Sequence, residues 1–291
     1  IGTELCPYCE AAPETVFHRY WRCDRWAACR AAACRELPED RVRAEAPGLT
    51  LRTGVVPVDA ELRDAKQAAE SRVEWVDDRE TCAERAFSDG GAVHSNDPWL
   101  RRCGWGVAWH DGVRWQGASG PTPGRQTVGR SELYAVLWIV RRARRGVVVV
   151  SDSRYVCNGC KALSEGGGRG YLNGDDADLW GALQDCGVPE MFWVPSHLDQ
   201  QEFLDRGPAD TEDDWRGNRE ADRRASGAAK AREPPSWLVA HQERRLLVAR
   251  AARRVIAAVR RMQSRVATAP GTRLRISRGA RVGPKVRAAK G

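Results

Sequence analysis

The stretch GVVVVSDSRYV, residues 146–156, places four consecutive valines just before Asp152. A short apolar run of β-branched residues without polar alternation predicts a strand that is buried on both faces of a sheet. A carboxylate at the end of such a strand is costly unless it is paired, solvated or used. We therefore expect a sheet covered by helices, and we expect the carboxylate of Asp152 to be paired, solvated or used in the chemistry of the protein.

Strand and helix patterns alternate over residues 84–231. Tryptophan and valine alternate around a His-Asp-Gly turn, which predicts an antiparallel hairpin after a short first strand that ends on Asp89. The valine strand is expected over residues 147–150, and Ser131 is a candidate N-cap of the helix before it. The segments in order are RAFSDGGA, RCGWGVAWHDGVRWQGAS, SELYAVLWIVRRAR, the valine strand, a helix over 153–163, a Gly-rich loop, DDADLWGALQDC, EMFWVPSH and GNREADRRASGAAK. This βββαβααβα order predicts an α/β fold with a mixed five-stranded sheet flanked by helices.

Four carboxylates fall at positions that can converge in this fold. Asp89 and Asp152 are expected at strand ends, Glu132 in the first turn of a helix, and Asp222 in the first turns of the closing helix. The carboxyl ends of adjacent parallel strands open onto one crevice. Clustered carboxylates ionise together only when cations neutralise them, and an all-oxygen site suits Mg²⁺ or Mn²⁺. Taken alone, any one of these groups is more often a solvated carboxylate at a strand end or a helix cap, so the prediction depends on the set.

Six motifs then carry a resemblance to one family. They are SDGGA, RSELYAV, SDSRYVCNG, DADLWGAL, VPSH and GNREADRRA, in that order. Residues 84–231 resemble the type 1 ribonuclease H domain, in particular the form at the end of reverse transcriptases of non-LTR retroelements. The resemblance implies an endonuclease that hydrolyses the RNA strand of RNA–DNA hybrids and leaves 5′-phosphate and 3′-hydroxyl ends. It also implies a possible upstream reverse transcriptase domain.

The resemblance further implies the roles of individual residues. Asp89, Glu132, Asp152 and Asp222 would form an acidic quartet for two Mg²⁺ or Mn²⁺ ions, and His197 would assist proton movement or product release. The alternative is a catalytically inactive nucleic-acid-binding module of a decayed mobile element. A complete quartet favours the enzyme, and the final Asp of GNREAD argues against a transposase of the same broad fold.

The chain departs from the family pattern at three places. Val128 and Gly129 stand where the family commonly has an Asn pair that helps to read the RNA strand, and Gly91 replaces a frequent Ser or Thr. An acidic insertion, LDQQEFLDRGPADTEDDWR, separates His197 from Asp222. The metal ligands are therefore complete, whereas the preference for the RNA strand is not decided by these residues.

Residues 1–36 carry a C-x2-C-x8-H-x4-C pattern that predicts a structural Zn²⁺ site, with unliganded thiols as the alternative. The four candidate ligands are Cys6, Cys9, His18 and Cys23. Cys29 and Cys34 are rival ligands. Cys157 and Cys160 are also spaced C-x2-C, but they fall in a predicted helix, where packing is the expected role.

The charge is unevenly distributed along the chain. The net charge is +8, whereas residues 234–291 contain 15 Lys and Arg and a single acidic residue, Glu243, which gives +14. The remaining residues therefore carry −6. The segment WLVAHQERRLLVARAARRVIAAVRRMQSR within this region has apolar residues at helical spacing and predicts an amphipathic, Arg-rich helix. A helix of this kind can pack on a domain, lie on a membrane or bind nucleic acid, and a nucleic-acid partner is favoured beside a nuclease.

These patterns predict four regions. They are a Cys/His module over 1–36, a linker over 37–83 with one helix near DAELRDAKQAAESRVEW, the α/β domain over 84–231, and a basic helix with a disordered tail over 232–291. The chain begins with Ile1 rather than methionine, so we expect either a fragment or an incompletely predicted reading frame. No run approaches the roughly 18 apolar residues of a membrane span and no signal layout is present, so we expect a soluble, intracellular protein.

Overall fold

The computed structural model describes residues 4–71, 84–143, 146–196, 198–205 and 211–268. His197, residues 72–83 of the predicted linker and the end of the basic tail lie outside these ranges. The chain divides into two units, residues 1–58 with 240–291 and residues 59–239. Each unit is described by itself.

The helices and strands of the described residues follow the sequence order. The helices are α1 (Ala27–Ala33), α2 (Glu39–Glu45), α3 (Gly48–Thr53), α4 (Ala60–Glu70), α5 (Val128–Arg142), α6 (Arg154–Ser164), α7 (Arg169–Leu172), α8 (Ala177–Cys186), α9 (Gln200–Leu204), α10 (Glu212–Lys230) and α11 (Ser236–Thr268). The strands are β1 (Arg85–Val93), β2 (Arg102–His110), β3 (Trp115–Pro121), β4 (Val148–Ser151) and β5 (Glu190–Trp193).

The five strands form one mixed sheet in the order β3-β2-β1-β4-β5. β1, β2 and β3 pair antiparallel, as the hairpin signal predicts, whereas β4 pairs parallel with both β1 and β5. The predicted mixed five-stranded α/β fold is therefore confirmed. Ser88 lies opposite Ser151 in the parallel pair, so Asp89 and Asp152 are each the next residue along neighbouring strands.

The two faces of the sheet are covered differently. On one face, α5, α6 and α8 bury a large apolar cluster in which the Trp105 and Trp138 rings are 5.6 Å apart. On the other face, α10 lies unusually close to the sheet. A Cβ added to Gly106 would stand 2.4 Å from the carbonyl oxygen of Ala221. Glycines in β1 and β2 facing alanines in α10 allow this close approach.

Three boundaries differ from the sequence-based expectation. β1 does not end on Asp89: its pairing with β4 stops at Ser88, but its pairing with β2 continues to Val93. Thr127, not Ser131, caps α5, so Ser131 is a buried helical residue. α5 therefore begins earlier than predicted and Glu132 lies beyond its first turn.

The closing helix also starts earlier than predicted. Thr211 and Asp214 form a capping box at the start of α10, because each accepts a hydrogen bond from the backbone of the other. Asp222 therefore lies in the middle of this helix rather than in its first turns. The acidic insertion supplies α9 and the first turn of α10, and α7 lies in the predicted Gly-rich loop.

The other unit has its own core. α2 and α3 lie within the predicted linker, yet Val42 and Leu51 are buried together with Trp21 and with Val255 of α11. α11 presents Val248, Ala252, Val255 and Val259 to this core at helical spacing. The part of the linker before residue 58 is thus packed structure, and the predicted helix of the linker is α4. No helix among the described residues is long and apolar enough to cross a membrane.

Candidate active site

Three of the four predicted carboxylates meet where β1 and β4 are neighbours. Asp89, Glu132 and Asp152 each offer an oxygen, and these atoms all lie within 4.8 Å of one another. Asp89 is buried, and the other two are partly buried. The indole Nε1 of Trp193 donates a hydrogen bond to the carbonyl oxygen of Asp152 at 3.0 Å, which ties the end of β4 to β5. The carboxylates of Asp89 and Asp152 therefore project from a rigid part of the sheet.

Glu132 is held in place by two local features. Ser153 Oγ donates to Glu132 Oε2 at 2.5 Å, and the same hydroxyl accepts from the backbone of Val156 as the cap of α6. A Cβ on Gly90 would lie 2.7 Å from the backbone nitrogen of Glu132, closer than side chains tolerate. The glycine therefore lets β1 approach α5, and this brings Glu132 beside Asp89.

Asp222 stands at the rim of the cluster. It is exposed on α10 and lines the same cleft as the three inner carboxylates, a cleft of about 570 Å³. Ser226 Oγ lies 3.3 Å from its Oδ1, within hydrogen-bonding distance. The close packing of α10 on β1 brings Asp222 there, because a Cβ on Gly91 would be only 2.9 Å from the backbone of Ala225. The departure at Gly91 is thus explained by the nearness of this helix.

The electrostatics of the cluster favour a bound cation. Burial, followed by the charge of Asp152, raises the pKa of Asp89 to about 9, although the backbone N–H of Gly90 donates to it at 2.7 Å. The charges of Asp222 and Glu132 act in the same direction on Asp89. Burial and the charge of Asp152 also raise the pKa of Glu132 to about 7, against the hydrogen bond from Ser153. Full ionisation at neutral pH needs neutralising charge, and hard oxygen donors suit Mg²⁺ or Mn²⁺.

Sequence reasoning missed further residues of the cleft. Asn218 lines the cleft, and its buried side-chain oxygen has no hydrogen-bond partner among the described residues. The guanidinium of Arg219 also lines it, 4.8 Å above the ring of Trp215. A buried amide oxygen without a partner costs free energy, which fits a site that is completed by a ligand. The only signal for Asn218 and Arg219 was their place within GNREAD.

The departures from the family pattern lie at or near the cleft. Val128 lines it, and a Cβ on Gly129 would lie 3.2 Å from the ring of Tyr155. His197 lies outside the described residues, whereas Pro195 and Ser196 just before it line the cleft. The structure thus shows an apolar side chain and a glycine at the positions of the Asn pair.

The predicted zinc ligands meet in the other unit. One atom each of Cys6, Cys9, His18 and Cys23 lies within 4.8 Å of the others. Burial raises the pKa of the Cys6 thiol, and it raises the pKa of the Cys23 thiol to about 12. The rivals Cys29 and Cys34 belong to none of the metal-ligand clusters that the described residues form, and neither do Cys157 and Cys160. Cys160 is buried in the core beside α8, as expected for packing.

Comparison with known proteins identifies the α/β unit. The RNase H family model matches residues 83–230, just over half of the chain, and the chain therefore belongs to the RNase H family. No curated protein matches the chain.

Several solved structures match part of this chain. The RNase H domain of PFV is 19% identical with a TM-score of 0.38, and the match covers 52% of this chain and 97% of that domain. The N-terminal RNase H domain of a Mycobacterium tuberculosis protein, solved as a maltose-binding-protein fusion, is 19% identical with a TM-score of 0.34 and coverages of 51% and 95%. LC11-RNase H1, solved in complex with an RNA/DNA hybrid, is 13% identical with a TM-score of 0.31 and coverages of 50% and 96%.

Proposed function

We propose that residues 84–231 form a metal-dependent endoribonuclease that hydrolyses the RNA strand of RNA–DNA hybrids. The observation that carries this proposal is the convergence of Asp89, Glu132 and Asp152 within 4.8 Å, in a chain of the RNase H family. Drift in a decayed element would readily remove one of four carboxylates. The complete set therefore supports catalysis over the alternative of an inactive nucleic-acid-binding module.

The residues present fit two divalent ions. The three inner carboxylates and Asp222 at the rim would hold them, and the unpaired oxygen of Asn218 adds a hard acceptor for a water or a hydroxyl. Bound ions would supply Lewis acidity, which would lower the pKa of a water and stabilise negative charge on the phosphodiester. Ser153 keeps Glu132 pointed at the cleft by its hydrogen bond of 2.5 Å. This support leaves Glu132 little freedom to rotate away from the cluster.

Other residues would position the substrate. Arg219 presents a cation at the cleft, where it would bind a backbone phosphate close to the acidic group, and its packing on Trp215 limits its rotamers. We assign to His197 assistance with proton movement or product release. Val128 cannot donate a hydrogen bond and Gly129 has no side chain, so recognition of the RNA strand would depend on other groups, such as Asn218.

The test is cleavage of end-labelled RNA in an RNA–DNA hybrid, compared with double-stranded RNA and double-stranded DNA, in Mg²⁺ or Mn²⁺. We expect cleavage of the hybrid with 5′-phosphate and 3′-hydroxyl ends, and none in chelator. Asp152→Asn should abolish it, because the amide keeps the shape but loses the anionic ligand. Asp185→Asn, an exposed change on α8, is the matched control and should cleave like the wild type. Equal cleavage by the Asp152→Asn variant would refute the assignment.

The resemblance of the six motifs also leads us to propose that the chain is part of a non-LTR retroelement-type protein with a reverse transcriptase domain upstream. Sequencing of the transcript on the 5′ side of the Ile1 codon tests this context independently of the nuclease. An open reading frame that encodes polymerase motifs is expected. A start codon directly before Ile1, or an unrelated upstream domain, would contradict it.

A further inference from the structure

The Cys/His cluster has the dimensions of an occupied metal site. The sulfurs of Cys6 and Cys23 are 3.9 Å apart, and Cys9 Sγ is 3.2 Å from His18 Nε2. Tetrahedral Zn²⁺ with the usual Zn–S and Zn–N distances places two sulfurs about 3.8 Å apart and a sulfur and a nitrogen about 3.5 Å apart. A disulfide would need sulfurs about 2.05 Å apart, and all of these cysteines are free.

Local backbone structure builds the first half of the cluster. Leu5 and Pro13 form an antiparallel bridge, and within it the backbone N–H of Cys6 donates to Ala12 and its carbonyl accepts from Glu10, both at 2.8 Å. The enclosed turn carries Cys6 and Cys9 with their side chains on one side, toward His18. This fold brings two thiols of a C-x2-C pair to one point.

The second half comes from the element that follows. His18–Arg22 forms a single π-helical turn, and the backbone N–H of Cys23 donates to the carbonyl of His18 at 2.8 Å. The side chain of Arg30, itself buried, donates to the carbonyl of Cys23 at 2.7 Å and to Glu39 at 2.9 Å. π-helical turns are rare and occur frequently at functional sites. In this chain the turn places the His18 side chain next to Cys9.

The cluster sits against the core of its own unit. Cys6 and Cys23 are completely buried and share that core with Trp21 and Trp26, and the ring of Tyr8 lies 5.1 Å from that of Trp26. A segment as short as residues 4–36 buries little surface by itself, and metal ligation commonly supplies the missing stability of such segments.

We propose that Cys6, Cys9, His18 and Cys23 bind one structural Zn²⁺ ion. Three sulfurs and one imidazole nitrogen match the soft donor set and tetrahedral geometry that zinc prefers. All four positions are filled by protein, so the site has no open position for a substrate or a water. The ion joins the turn of Cys6 and Cys9 to the segment that carries Trp21 and Trp26 into the core, and the stability of this unit depends on it.

The experiment uses the full chain, produced with added zinc and exchanged into metal-free buffer. Elemental analysis should find one equivalent of zinc. Cys9→Ser should reduce it to near zero, and this position is chosen because Cys9 is only partly buried. Cys29→Ser, a cysteine of the same module outside the cluster, is the matched control and should retain one equivalent. Asp152→Asn should also retain it, which separates this zinc from any metal at the carboxylates.

A second measurement tests the proposal even if the Cys9→Ser variant fails to fold. Cobalt added to the metal-free wild-type chain should give the absorption bands of tetrahedral cobalt–thiolate ligation, and a mercurial thiol reagent should release the metal. The same bands should form with Cys29→Ser. Wild-type protein without zinc and with freely titrating thiols would overturn the proposal. So would an equal loss of zinc in Cys29→Ser and Cys9→Ser.

Discussion

Replacing Asp89 by asparagine should stabilise the metal-free protein at neutral pH while it abolishes cleavage. The pKa of Asp89 is raised from 3.8 to about 9 by burial and by the charge of Asp152. Because the folded protein holds this proton more tightly than the unfolded chain, the contribution of Asp89 to wild-type stability is fully present below about pH 4 and is lost as the pH rises toward 9. Asparagine does not titrate, and the backbone N–H of Gly90 still finds an oxygen to donate to.

The size of the effect follows from the same numbers. Each pH unit above 3.8 costs the folded wild-type protein about 1.4 kcal/mol. At pH 7 the penalty is therefore on the order of 4 kcal/mol, which corresponds to roughly 10 °C in the Tm of a unit of this size. Magnesium should reduce the difference in stability between the wild type and Asp89→Asn, because the ion binds the folded wild type. At a Mg²⁺ concentration one hundred times the Kd, binding stabilises the folded wild type by about 2.7 kcal/mol.

The assay is scanning calorimetry of both proteins in chelator from pH 4 to pH 8, repeated with Mg²⁺. The wild type and Asp89→Asn should unfold at similar temperatures near pH 4 and diverge steadily above it. Asp185→Asn, on the exposed side of α8, should follow the wild type throughout. If the two proteins in chelator have the same Tm at pH 7, or if the difference between their Tm values does not grow with pH, then the carboxylate cluster is not under electrostatic strain without metal and the reasoning is refuted.

Three further predictions test other parts of the chain. Arg219→Gln should raise the KM for hybrid several-fold with a smaller change in kcat, whereas Arg223→Gln on the same helix should change neither, as measured by steady-state kinetics. Gly91→Ser should lower the free energy of unfolding by about 1–3 kcal/mol in denaturant titrations, because its side chain would meet the backbone of α10, while Gly181→Ser, with open space around it, should be nearly neutral. Arg250→Gln together with Arg261→Gln, both exposed on α11, should weaken hybrid binding and reduce its salt dependence, measured by fluorescence anisotropy over a salt series; an unchanged salt slope would exclude α11 as a phosphate-binding surface.

Substitution of exposed arginines tests the role of the basic region more cleanly than truncation of that region would. Deleting residues 234–291 would remove the excess positive charge, but it would also remove Val255 and Val259, which are completely buried in the core of their unit. Loss of binding in such a truncation would not separate charge from folding. Neutral substitutions at exposed arginines leave this core intact.

Much of the α/β unit follows from local sequence patterns. The valine run, the alternation around His110 and the apolar periodicity of α5 predict a mixed sheet and the order of the elements along the chain, because side-chain spacing reports which faces are buried. The same patterns place Asp89 and Asp152 at the ends of strands, so the convergence of the inner carboxylates could be expected from sequence. The pairing of β1 with β4, which makes their strands neighbours, is a property of the sheet.

Other features depend on contacts between residues that are distant in sequence. β1 continues beyond Asp89 because β2 supplies partners as far as Val93, and no local pattern shows how long a partner strand is. Several serines and threonines near the start of α5 could cap it, and tertiary contacts select Thr127. The burial of α2 and α3 depends on α11, some two hundred residues later.

The sequence by itself determined the class of fold and the set of acidic groups, because periodicity and residue chemistry are local properties. Tertiary structure alone decided how near α10 comes to the sheet. That distance is set by Gly91 and Gly106 facing Ala221 and Ala225 across the interface, a fit of two surfaces that neither segment reveals separately. It decides where Asp222, Asn218 and Arg219 stand relative to Asp89. The shape of the cleft is therefore a property of packing, whereas its negative charge could be predicted from the acidic residues of the sequence.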